Sequence, residues 1–116
     1  YLFIATLSLA TQAAEVSKAA WINAVSTALP TAFCNTSQYF RQCFNVTAQE
    51  CEAVAASATR ICISKSENDI PGTLSQPQDG SHWGNVIGTC AGISYESSLA
   101  KKRVKNEKCD DPKNWQ

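Results

Sequence analysis

The spacing of six cysteines constrains this chain more than any other feature of it. They stand at Cys34, Cys43, Cys51, Cys62, Cys90 and Cys109. An even number, all downstream of an apolar start, is the pattern of a disulfide framework made in an oxidising compartment. The close C-x2-C pairs of zinc sites and redox catalysts are absent. The cysteines therefore read as structural, and no metal or cofactor is expected. A chain stapled in this way belongs in a periplasm or outside the cell.

The start of the chain agrees with that placement. Residues 1–14 are apolar, close on small residues and carry no charge before Glu15. This is the form of the h-region and c-region of a secretory signal peptide, with cleavage expected after Ala13 or Ala14. No Met and no basic segment precede the run, so the true start is expected to lie upstream. A transmembrane span needs about 20 apolar residues, and this run is shorter. The remainder, 15–116, has the size of one domain. Ten Lys and Arg balance ten Asp and Glu, and neutrality argues against a nucleic-acid partner. Asn35-Thr36-Ser37 and Asn45-Val46-Thr47 fit the glycosylation acceptor pattern, but in a bacterial periplasm they read as ordinary helix-capping residues.

Periodicity in 15–116 is helical, and the expected fold class is a small all-α bundle of about four helices. From Glu15 to Leu29 there is no Gly or Pro, and Ala19, Ile22, Val25 and Leu29 fall on one face. Pro30 is expected to end that helix. A short helix follows, capped by Asn35 or Thr36, burying Tyr39, Phe40, Cys43 and Phe44 with Arg41 and Gln42 turned outward. Thr47-Ala48-Gln49-Glu50 is a capping box. It opens a third helix whose stripe is Cys51, Val54, Ala55, Ala58, Ile61 and Cys62, with Glu52, Thr59 and Arg60 outside it. Ser64 to Gly80 reads as one long irregular loop. The last helix is expected from Ser81 to about Lys105. Gly84, Gly88 and Gly92 share a face of it, and three glycines in a helix interior imply close approach of another backbone, expected to be the Ala-rich third helix.

The four middle cysteines read C-x8-C-x7-C-x10-C and place a helical hairpin at 35–64. In an antiparallel hairpin Cys43 faces Cys51 near the turn and Cys34 faces Cys62 at the open end; the rises, about 13 and 16 Å, agree. Nested bridges Cys34–Cys62 and Cys43–Cys51 are the expectation, leaving Cys90 and Cys109 as a pair. That last pair requires the final helix to break, because 19 helical residues span about 28 Å. Without the break, Cys90 and Cys109 each pair with a hairpin cysteine. The hairpin is similar to coiled-coil-helix proteins with twin C-x9-C pairs, though its spacings differ from theirs by one residue.

The only histidine, His82, stands beside Trp83 at the start of the last helix. With Asp79, Ser81, Glu67 and Asp69 nearby, a small hydrolase could be assembled. No nucleophile elbow, HExxH or P-loop is present, so His82 reads as a cap or surface residue and an enzyme is not expected. Trp21, Trp83, Trp115, Tyr39 and Tyr95 read as core and cap residues, any exposed one being a potential anchor. The expected role is binding of another protein, as an inhibitor, an immunity or neutralising factor, or an envelope accessory protein. The candidate surface is the loop end, Asp79, His82 and Trp83, with the basic end, Lys101, Lys102, Arg103 and Lys105. The alternative is action on a membrane or lipid surface, including pore formation, motivated by the glycine-spaced helix with its basic end.

Overall fold

The computed structural model describes residues 14–115. The expected export signal therefore lies outside the described residues, apart from Ala14. Five α-helices and one short two-stranded sheet make up the described chain. Strand β1 (Glu15–Ser17) leads directly into α1 (Lys18–Phe33); α2 (Tyr39–Gln42) is a single turn; α3 (Ala48–Ser66) is followed by β2 (Thr73–Ser75) and α4 (Gln78–Ser98). A 3-10 turn (Ala100–Lys102), α5 (Glu107–Asp110) and a final 3-10 turn (Pro112–Trp115) form the tail. The fold is the expected all-α bundle held by three disulfides.

Helix α3 is the central member. Helices α1 and α4 both pack against its buried face and touch each other, and both run antiparallel to it. Its small residues make this possible: Ala55, Ala58 and Thr59 are buried, and the Thr59 hydroxyl returns to the Ala55 carbonyl at 2.7 Å. Thr59 thus lies inside rather than outside the stripe, and Ile61, expected inside, is 47% exposed. The N-terminus is as expected: Thr47 Oγ1 accepts from the Glu50 N–H at 3.0 Å. The Glu50 carboxylate does not return to the cap; it pairs with Lys102 Nζ at 2.7 Å.

Helix boundaries shift from the expected ones for local reasons. Residues 15–17 pair antiparallel with β2, Val16 opposite Leu74, so α1 begins only at Lys18, capped by Ser17. Pro30 does not end α1. It lies in the last turn and removes the single bond its N–H would make, while its carbonyl still accepts from the Cys34 N–H at 3.1 Å, and Phe33 stacks on Phe40 at 4.1 Å beyond it. The residue before α2 is Gln38, without a side-chain cap; Asn35 instead accepts from Ser37 N–H in a turn of its own. The segment from Ser64 to Gly80 is not one irregular loop. Helix α3 continues to Ser66, Ile70 and Leu74 are buried plugs, and β2 anchors the return.

The disulfides depart from the nested arrangement. They are Cys34–Cys51, Cys43–Cys109 and Cys62–Cys90, with Cα–Cα distances of 5.8, 5.6 and 5.8 Å. The hairpin expected at 35–64 fails because α2 is only one turn long, so Cys34 and Cys43 are not two rungs of one helix. Cys34 follows the end of α1, which lies beside the start of α3, and there it meets Cys51. Cys62, about three turns further along α3, meets Cys90 on α4. Both late cysteines therefore pair with middle ones. The last helix also stops early, at Ser98, because Leu99 is buried and the chain turns to pair with the 43–45 segment. Val104 N–H donates to Cys43 O and Asn45 N–H to Lys102 O, both at 2.8 Å.

The glycine face does not pack on α3. A side chain at Gly84 or Gly88 would meet nothing within 4 Å, and only Gly92 is closely approached, by the Phe40 ring at 3.2 Å. Ile87, Ala91 and Tyr95 carry the buried side of α4. Tyr95 is fully buried; its hydroxyl donates to the Phe40 carbonyl at 2.7 Å and lies 3.1 Å from Cys51 Sγ.

Two outcomes are expected of this core. Trypsin digestion without reduction gives a two-peptide product, 61–65 joined to 66–101, and a three-peptide product in which 42–60 carries both 19–41 and 109–113; mass spectrometry reads both. A product joining 19–41 to 61–65 would restore the nested pairing. The second concerns Tyr95, whose burial pushes its hydroxyl up to about 12. An unfolded tyrosine titrates near 10, so the native state keeps its proton longer, and this stabilisation is complete below about pH 10 and is lost as pH rises toward 12. Tyr95→Phe flattens that alkaline slope and costs about 1–2 kcal/mol at pH 7 through the lost hydrogen bond, measured by denaturant melts at pH 7 and 11.

Candidate functional site

The residues singled out from sequence do not form one surface. Helix α4 separates Asp79, His82 and Trp83 at its start from Lys101 to Lys105 beyond its end, by about 30 Å at the helical rise. At the first end, Asp79 Oδ2 accepts from the Ser75 N–H at 2.7 Å and closes the turn into α4. His82 is exposed and packs edge-on against Trp83 at 4.8 Å. Asp79 is thus committed to the turn, and Glu67 is engaged through its backbone carbonyl by Lys18 Nζ.

The basic end is largely neutralised within the molecule. Lys102 pairs with Glu50. Arg103 is half-buried: its Nε donates to the Tyr39 hydroxyl at 3.1 Å, its Nη2 to Cys109 O at 2.9 Å, and its Nη1 to Val104 O, with Asp110 Oδ1 at 3.6 Å. The guanidinium also lies over the Tyr39 and Phe44 rings at 5.4 and 5.9 Å. Lys101 and Lys105 remain exposed. Arg103 is therefore an internal clamp that ties the tail to α2.

That clamp frames a cleft of about 330 Å³ bounded by Tyr39, Glu96, Arg103, Asp110, Pro112 and Trp115. Tyr39 donates its hydroxyl to Glu96 Oε1 at 2.5 Å. Burial, reinforced by the Glu96 carboxylate and opposed by Arg103, raises the Tyr39 hydroxyl above the usual tyrosine value, so it stays a donor. Trp115 meets Tyr39 at 5.6 Å, and its indole N–H is held by Lys108 O at 3.0 Å.

A second surface lies along the seam of α3 and α4. Ala53, Val54, Ser57, Ile61, Ser94 and Ser98 line a shallow groove there without a charged side chain. Ile93, 65% exposed, lies in an adjoining depression with Lys65, Cys90 and Ser97, which shares Ser94 and Ser98 with the groove. Sequence reasoning missed this surface because Ile61 fits the stripe of α3 by spacing. Only the position of Ile93, off the line of Ile87, Ala91 and Tyr95, signals an outward isoleucine. The cleft was not legible either, since it needs the tail to fold back through Cys109.

All six cysteines are in disulfides, so no thiolate serves as nucleophile or ligand. Among the described residues no helix is long and apolar enough to cross a membrane. No curated protein and no solved structure matches the chain. A family model described as "T2SS substrate NttA" matches residues 15–110. That span holds five helices and every disulfide, so the chain belongs to the NttA family of type II secretion substrates and is an exported protein, periplasmic or extracellular.

Proposed function

We infer that this secreted protein acts by binding another protein through the seam of α3 and α4, in a role that is not catalytic. The observation that carries the reading is exposed Ile61 in an uncharged groove between α3 and α4, with a second exposed isoleucine, Ile93, in an adjoining depression that shares Ser94 and Ser98 with the groove and is edged by Lys65. Interface cores are depleted of charge, and contiguous exposed apolar surface marks association sites. Two antiparallel helices edged by Ala53, Ser57, Ser94 and Ser98 leave room for a third helix at short range. An amphipathic helix of the partner is the occupant that this shape favours. The disulfides supply durability: by the loop-entropy model they contribute about 3, 4 and 3.5 kcal/mol for Cys34–Cys51, Cys43–Cys109 and Cys62–Cys90.

Burying a fully exposed isoleucine is worth about 1.5–3 kcal/mol; Ile61 and Ile93 start 47% and 65% exposed, so the pair accounts for roughly 2–3 kcal/mol, about a hundredfold in affinity. A photo-crosslinking residue at Ile93 of the secreted protein is expected to capture a discrete partner, while the same residue at exposed Thr27 on α1 does not. Ile61→Lys with Ile93→Lys is expected to keep the melting temperature and disulfides and to lose the partner about a hundredfold. Unchanged partner binding in that variant defeats the reading. So does flotation of the wild type with anionic vesicles that the double variant abolishes, which would assign the seam to lipid.

A further inference from the structure

The cleft at the folded-back tail has the walls and charges of a cation site. Its aromatic wall is the Tyr39 ring set edge-on to Trp115, with Pro112 completing an apolar rim. Two carboxylates stand at its mouth. Glu96 is exposed and uses one oxygen to accept from Tyr39, which leaves the other free. Asp110 is 56% exposed at its side chain and only 3.6 Å from the Arg103 guanidinium.

Arg103 lines the same cleft but is poorly placed to draw an anion. Its nitrogens donate to Tyr39, Val104 and Cys109 and approach Asp110. Asp110 is the carboxylate that faces Arg103, so Glu96 is the one whose charge is unmatched within the cleft. One ammonium of the chain already lies against the tryptophan: Lys108 Nζ stands 4.9 Å from the Trp115 ring while donating to Gln42 Oε1 at 3.0 Å. Aromatic rings attract ammonium groups through their quadrupole, by about 0.5–2 kcal/mol depending on desolvation. The volume is at the lower end for a ligand pocket, suited to one side chain.

We propose that the cleft of Tyr39, Glu96, Asp110 and Trp115 binds a primary alkylammonium group, presented as a lysine side chain by a partner polypeptide. The ammonium sits against Glu96, with Asp110 shared between it and Arg103, and its methylene stem lies along Trp115 and Pro112. The lysine source rests on the protein-binding reading above; the cation chemistry does not, and the cleft shares no lining residue with the groove of Ile61.

The test is a titration of the intact, oxidised protein, read at the indole N–H resonance of Trp115. The probes are Nα-acetyl-lysine methylamide, 1,5-diaminopentane, Nα-acetyl-norleucine methylamide and inorganic phosphate. The lysine probe is expected to give a saturable shift at least tenfold tighter than its neutral norleucine counterpart. Glu96→Gln and Asp110→Asn, both at exposed positions, should each weaken it about fivefold, with the Trp21 and Trp83 resonances unmoved as the control for folding. Equal binding of the norleucine probe, a saturable shift with phosphate, or indifference to both substitutions overturns the proposal. Binding of the diamine without the lysine probe overturns the polypeptide source alone. Loss of the Ile61 and Ile93 surface would leave every one of these readings unchanged, so the two proposals fail separately.

Discussion

One hydroxyl holds the parts of this fold in register. Tyr95 projects from α4 to the point where α1 ends, α2 passes and α3 begins. Its ring meets Phe33, Phe40 and Phe44 edge-on at 6.1, 5.2 and 5.2 Å, and its hydroxyl closes on the Phe40 carbonyl. A buried tyrosine requires a partner for its O–H, and the carbonyl of a one-turn helix has an acceptor to offer. The bond therefore satisfies two groups that burial would otherwise penalise. It also fixes α2, which is too short to be stable by itself. Once α2 is placed, Cys43 and Phe44 face inward and the chain that follows has a template to pair with.

The rest of the architecture follows from how thin α3 is. Buried Ala55 and Ala58 on one face let α1 and α4 both approach it, and a disulfide pins each approach, Cys34–Cys51 near its start and Cys62–Cys90 near its end. The two bridges act on different neighbours, so each stops a sliding motion that the other leaves free. The exposed Glu50–Lys102 pair lies on the register of Cys62–Cys90 and is a consequence of it; exposed ion pairs contribute little by themselves.

Much of this was legible in the sequence where the signal was local. The helical class, the Thr47 cap and the oxidising compartment follow from spacing and residue type. The disulfide partners were not legible, because pairing depends on which helices are neighbours, and the C-x8-C-x7-C-x10-C spacing fits a two-helix hairpin as well as a three-helix arrangement. The one-turn length of α2 decides between them, and single turns leave no periodic trace. Gly84 and Gly88 misled for a related reason: spacing puts them on one face of α4 but cannot say whether anything lies opposite. Lys101 to Lys105 read as a free basic end, since neither the Glu50 partner of Lys102 nor the aromatic bed of Arg103 is near in sequence.

The tail shows how the stapling and the candidate cleft are connected. Cys109 lies next to Asp110, and its bridge to buried Cys43 leaves that carboxylate beside Tyr39 and Arg103. Asn106 caps α5 by accepting from the Cys109 N–H at 2.7 Å, and Trp115 hangs from Lys108 O. None of these contacts gives the tail a hydrophobic core of its own; among the described residues Cys109 is the only buried side chain from α5 onward. A segment of so little buried area is ordered because a covalent bond and one arginine hold it. The two walls of the cleft therefore come from different sources, Tyr39 and Glu96 from the bundle, Asp110 and Trp115 from the tail. The Cys43–Cys109 bridge is what keeps them a fixed distance apart, so an oxidising compartment is a condition for the cleft as well as for the fold.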